Sequence, residues 1–212
     1  MKTIYFVRHG ESEANAGGII QGGSKTPLSE RGEKQAAFVG ERCSKLSIDA
    51  IIASPFLRTR QTAELIAEHV NLPIEYSDLF VEWDRGSFRI GKRANDPAIK
   101  QTEMDLITHL CEQDRRLADE ENFNDLNKRA EAALTFLEKR PESHILVVGH
   151  GLFVRILIGR AVLGKDYTGR DCEHFIKTFR TTNTGITILQ YQPEDAWGPW
   201  RVLAWNDHAH LG

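Results

Sequence analysis

The chain has 212 residues, 41% of them hydrophobic and 27% charged, with a formal net charge of −3. That length and composition suit one globular unit with a sizeable core and set aside disordered or fibrous classes. The slightly acidic balance sets aside a broad nucleic-acid-binding surface, and no apolar run is long enough to span a bilayer.

The first residues, MKTIYFV, carry one lysine and too short an apolar run for the core of a secretory signal. Cys43, Cys111 and Cys172 are odd in number and far apart, which points to neither a disulfide framework nor a zinc cluster. A cytoplasmic location is therefore expected.

TIYFV (3–7) is short, apolar and rich in β-formers, the pattern of a strand buried on both faces. Ser29 then opens SERGEKQAAFVGERCSKL, an amphipathic helix that Ser29 is placed to cap. DAIIAS (49–54) is a second buried strand, and residues 54–70 form a helix with Ser54 as the expected cap and Pro55 in the first turn. IEYSDLF (74–80) reads as a short strand leading into a loop. Residues 122–140 form a long helix that stops before Pro141. HILVVG (144–149) is a third apolar strand, followed by a helix over about 151–163. GITILQY and WRVLAW alternate as a closing strand pair.

Strands alternating with helices predict an α/β fold: a three-layer α/β/α sandwich around a mainly parallel sheet. Residues 83–121 break the rhythm with a polar, charged stretch. They are expected to form an inserted helical lid within a single domain spanning 1–212.

The strand ends carry the chemistry. The first is followed by Arg8-His9-Gly10, the second by Ser54-Pro55 with Arg58 close behind, and the third by Gly149-His150-Gly151. Ligands of open α/β sheets bind at the carboxyl ends of strands, so two histidines and two arginines converge on one place. Side chains in a first helical turn lean toward the helix N-terminus, which aims Arg58 at the strand tips. Such a cluster calls for an anion. Arginine forks match phosphate oxygens, and helix N-termini after Gly10 and Gly151 are expected to add backbone N–H donors. A neutral imidazole in such a pocket can attack phosphorus, with arginines stabilising the equatorial oxygens and an acid protonating the leaving oxygen.

RHGESEAN (8–15) resembles the signature of the histidine phosphatase superfamily, the phosphoglycerate mutase-like fold. QGGSKTPLSERGEKQA, ASPFLRTRQTAE and VVGHGLFVRILIG resemble its later motifs in order, and the tail WNDHAHLG is similar to the family's ending. The resemblance implies that His9 is the nucleophile that becomes phosphohistidine and that Arg8, Arg58 and His150 bind the phosphoryl group. It places Asn15, Gln21 and Gly151 around the substrate. Glu82 and Gly86 in VEWDRG match the family's Glu-x-x-x-Gly spacing, making Glu82 the expected proton donor, with Asp84 as the fallback. No cofactor or metal is implied, and Asp207, His208 and His210 belong to the ordinary ending rather than to a metal site.

The departures bear on the substrate. The family's acidic position after Gly86 is held here by Arg89 and Ile90, and Lys25 stands where an acidic residue is common. Arg85, Arg89, Lys92 and Arg93 form either a solvated loop or a contact for further anionic groups of the substrate. The leading expectation is a phosphomonoesterase for a small phosphorylated metabolite, working through phosphohistidine. A cofactor-dependent phosphoglycerate mutase and a non-catalytic phospholigand-binding protein are the alternatives. The expected partner is a small phosphomonoester, with no nucleic acid and no membrane.

Overall fold

Successive residues of a strand point to opposite faces of the sheet, so a strand apolar at every position must be covered on both sides. The computed structural model, which describes residues 1–20, 23–84, 86–116 and 118–212, meets that requirement with a six-stranded sheet. In chain order its elements begin with strand β1 (Lys2–Arg8), helix α1 (Glu13–Ala16), α2 (Glu30–Cys43) and β2 (Ala50–Ala53). Then come α3 (Leu57–Val70), β3 (Ile74–Tyr76), α4 (Pro97–His109) and α5 (Phe123–Lys139). The chain closes with β4 (His144–Gly149), α6 (Gly151–Leu163), α7 (Gly169–Thr178), β5 (Ile186–Tyr191) and β6 (Trp200–Asp207).

The sheet order is β3-β2-β4-β1-β5-β6. β2 pairs in parallel with β3 and β4, and β4 with β1; β5 and β6 complete the sheet antiparallel. The expected α/β sandwich with a mainly parallel sheet is thus the observed fold.

The alternation resolves residue by residue. Ile4, Phe6, Ile52, Ile145 and Val147 share one core with Leu126 and Ala130 of α5 and Phe153 and Leu157 of α6. Tyr5, Val7, Ile51, Leu146 and Val148 face the other way, into a second core with Val39 of α2 and Ala63 and Ile66 of α3. Each such side chain removed from water contributes about 1.5–3 kcal/mol before the entropy of ordering it is counted. These two cores hold β1, β2 and β4 in register, so their carboxyl ends stand together.

Caps set most helix starts. The Ser29 Oγ accepts from the Gly32 N–H at 3.1 Å, as its place in the sequence predicts. Asn122 and Asp125 cap α5 reciprocally, each side chain accepting the other's backbone N–H. The helix expected from residue 54 instead begins at Leu57, with Phe56 at the cap and no side-chain capping bond. Ser54 is drawn off to other partners described below.

The sequence reading did not foresee α1 or α7, and it gave the expected helical segment 83–121 no helix bounds. In α7, Thr168 and Asp171 form a capping box. In α4, Asp96 caps the first turn and Pro97 opens it. The segment 83–121 contains α4 and a short 3-10 turn at Ser87–Arg89. Its Trp83, Leu106 and Leu110 join the same core as Phe6 and Leu126. No described helix is long and apolar enough to cross a membrane.

Candidate active site

The carboxyl ends of β1, β2 and β4 open into a cavity of about 990 Å³ lined by Arg8, His9, Phe56, Arg58, Glu82 and Gly151, among others. His9 leaves β1 with its backbone N–H on the Gly149 carbonyl at 3.0 Å, so β4 fixes where it emerges. Its own carbonyl accepts from the Asn183 side chain at 2.9 Å.

The ring of His9 has a defined tautomer. Nδ1 lies 2.6 Å from the Gly10 carbonyl, which can only accept, so Nδ1 carries the proton. Nε2 therefore keeps its lone pair, and the Arg58 Nε donates to it at 3.2 Å. His150 has the opposite arrangement. Its Nδ1 faces the Arg58 Nη2 at 3.2 Å and must accept, and its Nε2 donates to the Ser54 Oγ at 2.9 Å. Arg58 thus bridges the two imidazoles, whose ring centroids stand 5.3 Å apart. His9, Arg58 and His150 are all buried.

Burial first, and then the charges of Arg58 and Arg8, hold the His9 imidazolium pKa well below its ordinary 6.5. Burial and Arg58 do the same to His150. Both rings are therefore neutral at physiological pH. Burial pushes the Arg58 guanidinium down to about 10, with Glu82 opposing the shift and Arg8 adding to it. Arg58 remains a cation near neutrality. Arg8 is lowered by burial and supported by Glu82; its Nη1 donates to the Thr181 carbonyl at 2.6 Å. Its Nε is buried with no hydrogen-bond partner among the described residues, a donor with capacity for an anion.

Glycines allow the close approaches. A Cβ on Gly151 would lie 2.6 Å from the Thr181 Oγ1 and 3.1 Å from the Arg8 Nε, so Gly151 makes room for Arg8. A Cβ on Gly10 would meet the Gly32 carbonyl oxygen at 2.5 Å, where α2 packs against the loop after β1.

Glu82 stands across the cavity from these groups. Its Oε1 accepts from the Trp83 N–H and the Phe153 N–H, each at 2.9 Å, and its Oε2 from the Leu152 N–H at 3.3 Å. This corrects one expectation. The first-turn amides of α6 at 152 and 153 are engaged by a protein carboxylate rather than left for an external anion; a carboxylate suits that position because the helix dipole is positive there. Asp84, the fallback, is exposed, and its Oδ1 accepts from the Gly86 N–H at 3.1 Å.

Other sequence candidates sit elsewhere. Asn15 lines the cavity but is exposed, and its Oδ1 caps Ser12 at the start of α1. Gln21 and Arg85 lie outside the described residues. Arg89 is fully buried and faces the Glu103 carboxylate as an ion pair without a directional hydrogen bond, while Lys92 and Arg93 are exposed. In the tail, Asp207 pairs with Arg42, and the His210 Nε2 meets the Thr184 Oγ1 at 3.0 Å.

Sequence reasoning missed Ser54 as the partner of His150, and Thr181 and Asn183 as supports of Arg8 and His9. The last two stand more than a hundred residues from the groups they hold, and nothing in the local pattern of TTNTG signals the contact. It also missed Arg129 and Glu121, which tie the Glu82 segment to α5.

Comparison with known proteins gives this geometry a context. Residues 4–208 match the family model of the histidine phosphatase superfamily (branch 1). A Salmonella arizonae protein named "Probable phosphoglycerate mutase GpmB" is 35% identical over 217 residues, covering 100% of this chain and 95% of that protein. Among solved structures, Bacillus stearothermophilus YhfR matches with a TM-score of 0.81 at 25% identity, over 100% of both chains. The alpha-ribazole phosphatase from Shigella flexneri matches with a TM-score of 0.76 at 22% identity, over 98% of this chain and 97% of that one.

Proposed function

Since the chain belongs to the histidine phosphatase superfamily, branch 1, whose members are phosphatases or mutases, we propose that it is a phosphomonoesterase acting on a small phosphorylated metabolite through a phosphohistidine. The observation that carries this reading is the His9 tautomer: a neutral ring, its proton held on Nδ1 by the Gly10 carbonyl, with the Nε2 lone pair at the floor of the cavity beside Arg58 and Arg8.

The reaction runs in two displacements. A substrate phosphoryl group takes up donors of Arg8 and Arg58, and so competes with the His9 Nε2 and the His150 Nδ1 for the Arg58 N–H groups; His150 joins in binding it by exchanging its N–H from the Ser54 Oγ to a phosphoryl oxygen. Nε2 of His9 forms a bond to phosphorus as the ester P–O bond breaks in line, and Glu82 supplies the proton to the leaving alkoxide. Water then attacks phosphorus, Glu82 takes its proton, the P–N bond breaks and inorganic phosphate leaves. Neutrality of His9 matters because an imidazolium has no lone pair to offer.

The cavity favours hydrolysis over mutase chemistry. A mutase must keep its phosphoenzyme from water while one three-carbon acid rebinds. A volume of about 990 Å³ is of the size that encloses a drug-sized ligand and leaves water ample room beside a three-carbon substrate. The mutase reading draws on the name of the Salmonella relative. One experiment separates the two: release of inorganic phosphate from a panel of phosphomonoesters, beside isomerisation of 3-phosphoglycerate with bisphosphoglycerate supplied. Hydrolysis is expected to dominate, with label trapped on one histidine and no turnover by His9→Ala. Efficient isomerisation with negligible phosphate release would reverse the assignment, and full turnover by His9→Ala would remove the phosphohistidine.

A further inference from the structure

Glu82 belongs to no helix or strand. It follows the 3-10 turn at Asp78–Phe80, among residues 81–84, which belong to no helix or strand. A proton donor on such a segment needs its position fixed from outside, because catalytic efficiency falls steeply with misplacement.

The structure supplies that support from α5 and from Glu121, just ahead of its cap. The Arg129 Nη1 donates to the Val81 carbonyl at 2.7 Å. The Glu121 carbonyl accepts from the Trp83 indole N–H at 2.9 Å, and the Glu121 Oε2 accepts from the Asp84 N–H at 3.0 Å. The Glu121 N–H donates back to the Asp84 carbonyl at 2.9 Å. Residues 81, 83 and 84 are thereby held on either side of Glu82. Arg129 and Glu121 are themselves joined by two parallel bonds, Nε to Oε1 at 2.9 Å and Nη2 to Oε2 at 2.7 Å. The Arg129 guanidinium also lies over the Phe153 ring, 3.8 Å from its centroid. Phe153 is the residue whose N–H binds the Glu82 carboxylate.

We propose that Arg129 and Glu121 form a positioning pair for Glu82, gripping its backbone on both sides and seating its carboxylate against the first turn of α6. The proposal rests on the reading of Glu82 as proton donor. The pair is mostly sheltered, with side-chain exposures of 14% and 25%, and its two-bond geometry is the kind that fixes orientation. Arg129 performs three tasks at once: a fork to a carboxylate, a bond to a carbonyl and a stack on a ring. Lysine reproduces at most one of them.

The test compares kcat/KM for p-nitrophenyl phosphate, whose leaving group scarcely needs a proton, with that for an alkyl phosphate, whose leaving group does. Arg129→Gln is expected to lose on the order of 10- to 10²-fold on the alkyl ester and much less on the aryl ester. Glu121→Gln should show the same selectivity more weakly, and Arg129→Lys should recover part of it. In a Glu82→Gln background, Arg129→Gln should add no further alkyl-selective loss. Equal losses on both esters, or an undiminished extra loss in that background, would overturn the positioning role. Arg129 also contributes to the lowered His150 pKa, but an effect through His150 acts on phosphoryl binding and strikes both esters alike. Alkyl-selective loss in Glu82→Gln without it in the Arg129 and Glu121 variants overturns the positioning role alone. Absence of selectivity in Glu82→Gln overturns the donor assignment, and the positioning role with it. Should Arg129→Gln fail to fold, Glu121→Gln and Arg129→Lys carry the same comparison.

Discussion

The floor of the cavity and its outer wall are held by different kinds of bond. On the floor, His9, Arg58, His150 and Ser54 form one chain of hydrogen bonds between side chains delivered by three neighbouring strands. Each of those strands is paired on both sides within the sheet. The outer wall is made of a 3-10 turn, a short bridge between Ile19 and Arg93, and a helix tied back by the Arg89–Glu103 ion pair. Ile19 and Ile90 are exposed on it. The floor has little freedom to vary without unseating the sheet, whereas the wall reaches the common core through Leu106 and Leu110 and otherwise hangs on the Ile19–Arg93 bridge and the Arg89–Glu103 ion pair. In the reading proposed above, the floor carries the phosphoryl chemistry common to many phosphomonoesters, and the wall meets the part of the substrate that differs.

That contrast can be broken by experiment. The largest expected effect is on the wall. Glu103→Ala leaves Arg89 buried without its counter-charge. Removing one partner of a buried pair costs roughly 3–5 kcal/mol, and the lower end applies here because Glu103 keeps 28% side-chain exposure. Urea unfolding should show that loss, while the surviving folded enzyme still forms phosphoenzyme with p-nitrophenyl phosphate. Unchanged stability with abolished phosphoenzyme would place Glu103 in the chemistry and erase the distinction between floor and wall.

A floor variant should do the converse. In Gly151→Ala the new methyl would stand 2.6 Å from the Thr181 Oγ1 and 3.1 Å from the Arg8 Cδ and Nε. Thr181 must give way first, and Arg8, pressed by the same methyl and bonded to the Thr181 carbonyl, shifts with it. A shift of this order in a group that binds the reacting phosphoryl is expected to cost about 10²-fold in kcat/KM. Both ester types should lose equally, since binding of the phosphoryl group does not depend on the leaving group. Steady-state kinetics on the two esters and thermal unfolding check this together. A loss confined to alkyl esters would show that the methyl acts on Glu82 through α6 instead.

The same contrast explains what the sequence disclosed. The buried strands are legible because apolar runs such as IYFV and ILVV admit few other interpretations, and their ends carry histidine and arginine at once. The convergence of those ends follows from the parallel topology. The helix start at Leu57 is not legible, because Ser54 is a good capping residue that tertiary contact with His150 claims first. The support of His9 by Asn183 and of Arg8 by Thr181 is long-range and has no local pattern. The wall is the least legible region. Helix α4 buries only Ile99 and Leu106 along its length, so its periodicity is weak. The burial of Arg89 reverses what an arginine in a charged stretch suggests, because its partner Glu103 lies in α4, far beyond the reach of any i,i+3 or i,i+4 spacing rule.

The smallest expected effect is on the pH dependence of the floor. Burial and the neighbouring arginines lower the folded-state pKa values of His9 and His150 below the 6.5 of a solvated imidazole. Well above pH 6.5 both rings are neutral folded and unfolded, and their titration contributes nothing to stability. As pH falls below that value the unfolded chain binds protons that the folded floor refuses, so stability must fall. Between pH 6.5 and 5.5 each fully neutral buried imidazole costs about 1 kcal/mol by this linkage. Few carboxylates titrate in that window, since their ordinary values lie near 4. His210, also lowered by burial and Arg42, adds in the same direction, so the measurement compares variants. Chemical denaturation at the two pH values should show a drop in the wild type that shrinks by about 1 kcal/mol in His150→Gln. Imidazole resonances of His9 and His150 should stay in their neutral positions across the window. If either ring titrates near 6.5 in the free protein, the floor is wetter than its burial implies. The Nε2 lone pair of His9 would then be available only above that pH, and the acidic limb of kcat/KM would move up to match.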